Sequence, residues 1–338
     1  MLSGVPAVAV TRGSRVESIH NVAACACDVR GKVVLALGTI DEPFYLRSAA
    51  KPFIAAAGVL AGVADRFALD DRELAVMSAS HGGEPFHIAA VESILSKIGA
   101  TVDDLACGAH PPSYEPAAAA LAARAQAPTA LHNNCSGKHA GILALCRVLG
   151  APLAGYLEAA HPAQRTILAM CERVSDDTFG PDRLGVDGCG IPAYATSLRN
   201  AARSFARLAT LEALDDADAA ALLRVRTAMI AQPAYVAGTG RFDTDLMRVA
   251  AGAIACKAGA EGVHGDALLD SGLGLVLKVV DGGARRAVSP AAIALLGQLG
   301  ALEAAQAPAL DAHAHVPIKN VAGRTVGYVT AWEPSAIR

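Results

Sequence analysis

Aromatic side chains are scarce in this chain, 4% of 338 residues, while apolar residues make up 53%. Its core is therefore built of Ala, Val, Leu and Ile, and the alanine-rich stretches favour helices. Long hydrophobic runs are missing too, despite a mean hydropathy of +0.36. The longest, Phe53 to Ala64, is closed by Lys51 and Asp65, and a bilayer crossing needs about 20 such residues. It reads as a buried helix, so no membrane partner is expected. Charge of one sign is lacking as well, with 29 basic and 32 acidic residues and a net charge of −3. Without a basic stripe or block, no nucleic-acid partner is expected either. Met1 to Glu17 has no basic segment leading into an adequate apolar stretch, so a secretory signal is not expected. The expected location is cytoplasmic, where the eight cysteines stay reduced. Neither Cys-x-x-Cys nor His-Glu-x-x-His occurs, which removes the commonest zinc signatures. Cys25, Cys27, Cys107, Cys146, Cys171 and Cys256 read as small core residues.

What is present is a change of period along the chain. Residues 7–11, 21–29 and 33–37 alternate like strands between Gly and charged punctuation. Helical recurrence follows at 49–62, 71–79, 84–98, 115–126, 137–149, 161–174, 197–209 and 215–231. Strands return at 253–258, 262–269 and 274–280, then a helix at 290–304, and a hairpin of 316–320 with 325–330. Strands at both ends with helices between them predict an α+β fold. Its antiparallel sheet is built from both termini, as a sheet subdomain of 1–48 plus 253–338 and a helical insertion of 49–252. Penicillin-recognising serine enzymes share that arrangement and carry Ser-x-x-Lys where the first helix begins.

Ser48-Ala49-Ala50-Lys51 falls at that place, after Phe44-Tyr45-Leu46. Three residues apart on a helix means one face. A lysine can take a serine proton if desolvation lowers the amine's pKa, and the apolar run after Lys51 could supply that. The plain alternative is a capping serine and a solvated lysine. Ser80 lies in Ser78-Ala79-Ser80-His81-Gly82-Gly83-Glu84, where glycines let backbone N–H groups approach a ligand; an ordinary helix–helix turn would look the same. Cys135 and Lys138 in His132-Asn133-Asn134-Cys135-Ser136-Gly137-Lys138-His139, with Cys189 in Asp187-Gly188-Cys189-Gly190, offer sulfur and nitrogen of the kind zinc prefers. Buried, unligated thiols are the simpler account of the spacing. His139 and Asp187 flank these groups as candidate substrate or outer-shell contacts. Lys257-Ala258-Gly259, at a strand end, is similar to the third motif of the Ser-x-x-Lys enzymes.

Taken in order, Arg47 to Phe53, Ala79 to Glu84, His132 to Gly141, Asp187 to Pro192 and Lys257 to Gly262 resemble the Rhizobium etli-type (class 3) L-asparaginases. The resemblance implies hydrolysis of L-asparagine to L-aspartate and ammonia, a fold similar to serine β-lactamases and glutaminases, and a homodimer. It implies two Ser–Lys pairs, Ser48 with Lys51 and Ser80 with Lys257. It implies zinc held by Cys135, Lys138 and Cys189, and Arg47, Asn133, His139 and Asp187 as substrate contacts. On that reading Ser48 attacks the side-chain amide after losing its proton to Lys51, and Ser80 with Lys257 relays a proton to the departing ammonia. Two rivals stand beside it: another serine amidase or peptidase of the penicillin-recognising type, and a non-catalytic zinc-holding ligand-binding protein.

Overall fold

The computed structural model describes residues 2–332. The strands of the main sheet are β1 (Val5–Arg12), β2 (Arg15–Cys27), β3 (Val33–Leu37), β4 (Ile254–Gly259), β5 (Val263–Leu268), β6 (Leu273–Val279), β7 (Val316–Lys319) and β8 (Thr325–Ala331). The principal helices are α1 (Lys51–Leu60), α2 (Asp71–Met77), α3 (Pro85–Ile98), α4 (Ser136–Leu149), α5 (Pro162–Ser175), α6 (Leu198–Thr210), α7 (Asp216–Ala231) and α8 (Ala284–Gln298). The fold is α+β, and the chain forms two compact units, Met1–Ala49 with Thr196–Thr210 and Asp245–Arg338, and Ala50–Ala195 with Leu211–Thr244.

The first unit is the sheet. Its strand order is β7-β8-β1-β2-β6-β5-β4, with β3 also on β2, and the described pairings are antiparallel. Segments from both ends of the chain thus meet at β1–β8, where Ala9 faces Thr330, and at β2–β6, where Cys25 faces Val276. All of Val263 to Leu268 is buried, which means both faces of the sheet centre are covered, since neighbouring side chains on a strand point opposite ways. The helices α6 and α8 pack against it. Helix α6 approaches so closely that a Cβ on Gly274 would stand 1.9 Å from the Ala202 carbonyl oxygen. Helix α8 begins six residues before the expected start at Pro290, which sits inside it. Ala287, Ala291, Ala292 and Leu296 are buried along that helix. Burial of this stripe holds the helix through a residue that lacks an N–H. Gly300, at φ +68°, ends the helix where the sequence pattern had run on to 304.

The second unit is helical and is organised around α1, which packs on α4, α5 and α7. Every residue from Lys51 to Gly58 is buried, as a helix apolar all round must be. Pro52, in the first turn, suits a helix start because that turn has no N–H to satisfy. Helix α2 starts at Asp71 and is capped by Asp70: its carboxylate accepts from the Arg72 and Glu73 N–H groups, and Glu73 accepts from the Asp70 N–H at 2.7 Å. Arg173 on α5 grips Asp218 on α7 with two bonds of 2.6 and 2.7 Å. A further helix spans Phe242–Val249. Among the described residues no helix is long and apolar enough to cross a membrane.

Candidate active site

The helical unit brings two separate sequence motifs together through one close approach. Gly137, at the start of α4, lies against the end of α2: a Cβ there would stand 2.2 Å from the Val76 carbonyl oxygen. Only glycine lets the two backbones meet this closely. The contact sets Ser80, just beyond α2, beside the thiol-bearing turn before α4. The His81 N–H then bonds the Asn134 carbonyl, and the Ser80 N–H bonds the Val236 carbonyl. Both amides are therefore occupied in holding the loop. The expectation that the Ser80 loop offers its N–H groups to a ligand does not hold for these two.

Lys51 is 1% exposed at the head of α1, and burial there is what the apolar run predicted. Its Nζ donates to the Ala79 carbonyl at 2.5 Å, to Ser80 Oγ at 2.9 Å and to Cys135 Sγ at 3.2 Å. The lysine of the first motif thus serves the serine of the second. Ser80 itself is half-buried.

Cys135, Cys189 and Lys138 converge as well. All three are buried, and Lys138 Nζ donates to Cys189 Sγ at 2.7 Å. A hydrogen bond from Cys189 holds the Cys135 thiol well below its ordinary range, against burial and with help from the Lys51 and Lys138 charges. Cys189 moves the opposite way, up, because it keeps the shared proton and is buried. Burial works against the Lys138 ammonium, but the two sulfurs outweigh it and raise its pKa. Asn134 Oδ1 lies 2.9 Å from Cys135 Sγ. Cys107 is pushed up to about 11, by burial first and by the Cys135 charge second.

The remaining expected contacts divide. Asp187 is half-buried in the Cys189 turn, where its carboxylate accepts from the Gly188 N–H at 2.6 Å and its charge reaches Lys138. His139 is fully buried on α4; Nδ1 lies 2.6 Å from the Tyr156 hydroxyl. Asn133 holds the turn itself. Its amide donates to the Cys107 and Gly108 carbonyls and accepts from the Cys135 N–H at 2.8 Å. Those bonds use its amide in shaping the thiol-bearing turn. Arg47, Ser48 and Lys257 belong to the sheet unit. Arg47 adopts φ +54° in the one-turn segment Arg47–Ala50, an unfavourable conformation for a residue with a Cβ, of the kind that collects at functional turns. Lys257 is fully buried on β4 and donates to the Ala258 carbonyl at 2.6 Å. The end of that strand meets the Ser48 turn: a Cβ on Gly259 would stand 2.9 Å from the Leu46 carbonyl oxygen and 3.2 Å from the Ala49 nitrogen.

Three participants were not assigned these partners from the sequence. Tyr156, in the loop after α4, has no motif around it. Asn134 is adjacent to Cys135, yet its direction follows from the turn and not from its place in the string. Glu84 accepts from both the N–H and the hydroxyl of Thr239, at 2.8 and 2.7 Å, and so braces the loop whose Val236 carbonyl holds Ser80. No local pattern links residues 155 positions apart.

A buried amine against a hydroxyl, beside a thiol pair, can move protons and hold a polar ligand. Residues 8–331 match a family of amidohydrolases. That family is L-asparaginase II, and the chain belongs to it. Among solved structures, one of a protein named Mglu, in its native form in the presence of 4.3 M NaCl, is similar at 17% identity with a TM-score of 0.47, covering 89% of this chain and 66% of that one. The present chain therefore spans 66% of that protein's chain. No curated protein matches.

Proposed function

We propose that this protein hydrolyses L-asparagine to L-aspartate and ammonia with a serine nucleophile and a lysine base. The observation that carries the reading is the buried Lys51 amine, 2.9 Å from Ser80 Oγ, in a chain of the L-asparaginase II family. With the Lys51 amine in its neutral form, Ser48 attacks the side-chain amide carbon and its proton passes to Lys51. From Lys51 the proton has a direct route to Ser80, which delivers it to the leaving nitrogen, with Lys257 completing the relay. Water then cleaves the acyl-enzyme. Positioned acid–base groups of this kind contribute about 10²–10⁴ in rate.

The donor set of Cys135, Cys189 and Lys138 fits zinc. Two sulfurs and a nitrogen already lie buried within hydrogen-bond reach of one another, and these are ligand types that zinc favours. Bound there, the metal would supply a fixed positive charge for orienting the substrate's polar groups. Asp187 and His139 flank that position and Arg47 is the further candidate contact; each orients the substrate's α-amino and α-carboxylate groups. The protein is proposed to work in the cytoplasm as a homodimer, which sedimentation equilibrium would test.

The deciding experiment measures ammonia release from asparagine, glutamine and a chromogenic β-lactam side by side, with and without a chelator. The expected result is release from asparagine, with chelation raising KM and zinc restoring it. Turnover of the β-lactam alone would assign the rival amidase class. Thermal stabilisation by asparagine without ammonia would assign a binding protein.

A further inference from the structure

Tyr156 stands outside every motif, yet it is 2% exposed and its hydroxyl makes two short contacts. The Ala106 N–H donates to it at 2.8 Å, and His139 Nδ1 lies 2.6 Å away. Among the described residues the other ring nitrogen of His139, Nε2, is buried without a hydrogen-bond partner. It lies on the residue after Lys138, close enough to the Lys138 and Lys51 ammonium groups to feel both charges.

Counting donors decides which way the protons lie. If Tyr156 donates its O–H to Nδ1, it gives one bond and receives one from Ala106, and only the Nε2–H is left over. If Nδ1 carries the hydrogen instead, the Tyr156 oxygen receives two bonds, its own O–H is stranded, and Nε2 becomes a second stranded group. Buried polar groups are overwhelmingly paired, so the first arrangement holds. It leaves one donor for a ligand acceptor.

We infer that Tyr156 is a positioning residue: held by the Ala106 amide, its hydroxyl fixes His139 with Nδ1 as acceptor and Nε2–H as donor, and that donor takes a carboxylate oxygen of the amino-acid amide substrate. The ligand in this statement rests on the asparagine reading above; the tautomer does not. A second-nearest residue acting on a ring in this way matches how imidazole orientation is set elsewhere, where the bond at one nitrogen decides the role of the other.

The test uses the full chain with ¹⁵N-labelled histidine, whose multiple-bond ¹H–¹⁵N spectrum separates the two tautomers. The His139 signals are assigned by their loss in His139→Gln. The native protein is expected to show the Nε2–H form, and added L-aspartate is expected to shift it. In Tyr156→Phe the ring becomes a mixture, and KM for asparagine rises about five- to tenfold with kcat within about twofold, the scale of one hydrogen bond. Adding Tyr156→Phe to His139→Gln, which keeps a donor at the ε position, raises KM by less than about twofold because the coupled partner is gone. An Nδ1–H ring in the native protein, or an unmoved KM in Tyr156→Phe, overturns the inference. If the native protein releases no ammonia from asparagine, the functional reading fails alone, and the native spectrum with L-aspartate still decides this one.

Discussion

At the scale of single residues, Lys51 carries the sharpest consequence. Its Nζ reaches Ser80 and Cys135 from within the protein interior, so replacing it removes the proposed base and the amine beside the thiol together. Lys51→Met is expected to lower kcat by at least about 10³ while circular dichroism stays native, since base removal falls in the upper part of the acid–base range. Ser80→Ala should lower kcat with KM nearly unchanged, the mark of an interaction made only in the transition state. Near-normal turnover in Lys51→Met would remove the lysine from the mechanism.

His87 gives the pH dependence. Burial pushes its imidazole down to about 4 from the ordinary 6.5. Both nitrogens are used by the neutral ring: Nδ1 accepts from the Glu84 N–H at 3.2 Å and Nε2 donates to the Ala234 carbonyl at 2.9 Å. The unfolded histidine therefore takes up a proton near pH 6.5 while the folded one stays neutral. Its contribution is whole above pH 6.5 and is lost as pH falls from there through about 4. That amounts to about 3 kcal/mol at most. His81, stacked on His87 with ring centroids 4.8 Å apart, is also held low, mainly by burial and next by His87, so both act in the same direction. Urea unfolding across that range should show a shallower loss in His87→Gln; an identical slope would mean that the ring plays no part.

At the scale of elements, close backbone approach decides where the motifs meet. Gly137→Ala would force the start of α4 away from Val76. The expected cost is about 2–3 kcal/mol for overpacking, read as a fall in Tm of roughly 3–4 °C, with the proposed zinc affinity falling because Lys138 and Cys135 flank the displaced turn. An unshifted Tm would show that the turn can slide. The α5–α7 clamp offers a comparison away from the site. Arg173→Met leaves the Asp218 carboxylate, 1% exposed, without its guanidinium. A loss of about 2 kcal/mol is expected, below the value for a fully buried pair because Arg173 is partly in solvent, and asparagine kinetics should not change.

At the scale of the whole molecule, the eight cysteines are free and buried. Under denaturing conditions without reductant, all eight should react with a thiol reagent. In the native state reaction should be slow, and slower still at Cys135 and Cys189 once zinc is loaded. Fast native labelling would show that the thiol-bearing turn opens readily.

Composition and periodicity were enough for the α+β class and the sheet assembled from both ends, because alternation and helical recurrence are local properties of the chain. They also placed α1 as a buried helix and Lys51 at its head, since an apolar run that long has nowhere else to go. Pro290 misled, because burial of a whole helical stripe outweighs one missing hydrogen bond, and that burial depends on a sheet far away in sequence. The motif strings marked Ser80, Cys135, Lys138 and Cys189, but not that Lys51 reaches Ser80 or that Asn133 is occupied by carbonyls of the Cys107–Gly108 turn. Nor did they mark Tyr156, or that Glu84 reaches Thr239. Those partnerships arise only where α2 and α4 touch through Gly137, and the direction of a side chain is set by the neighbours that folding supplies.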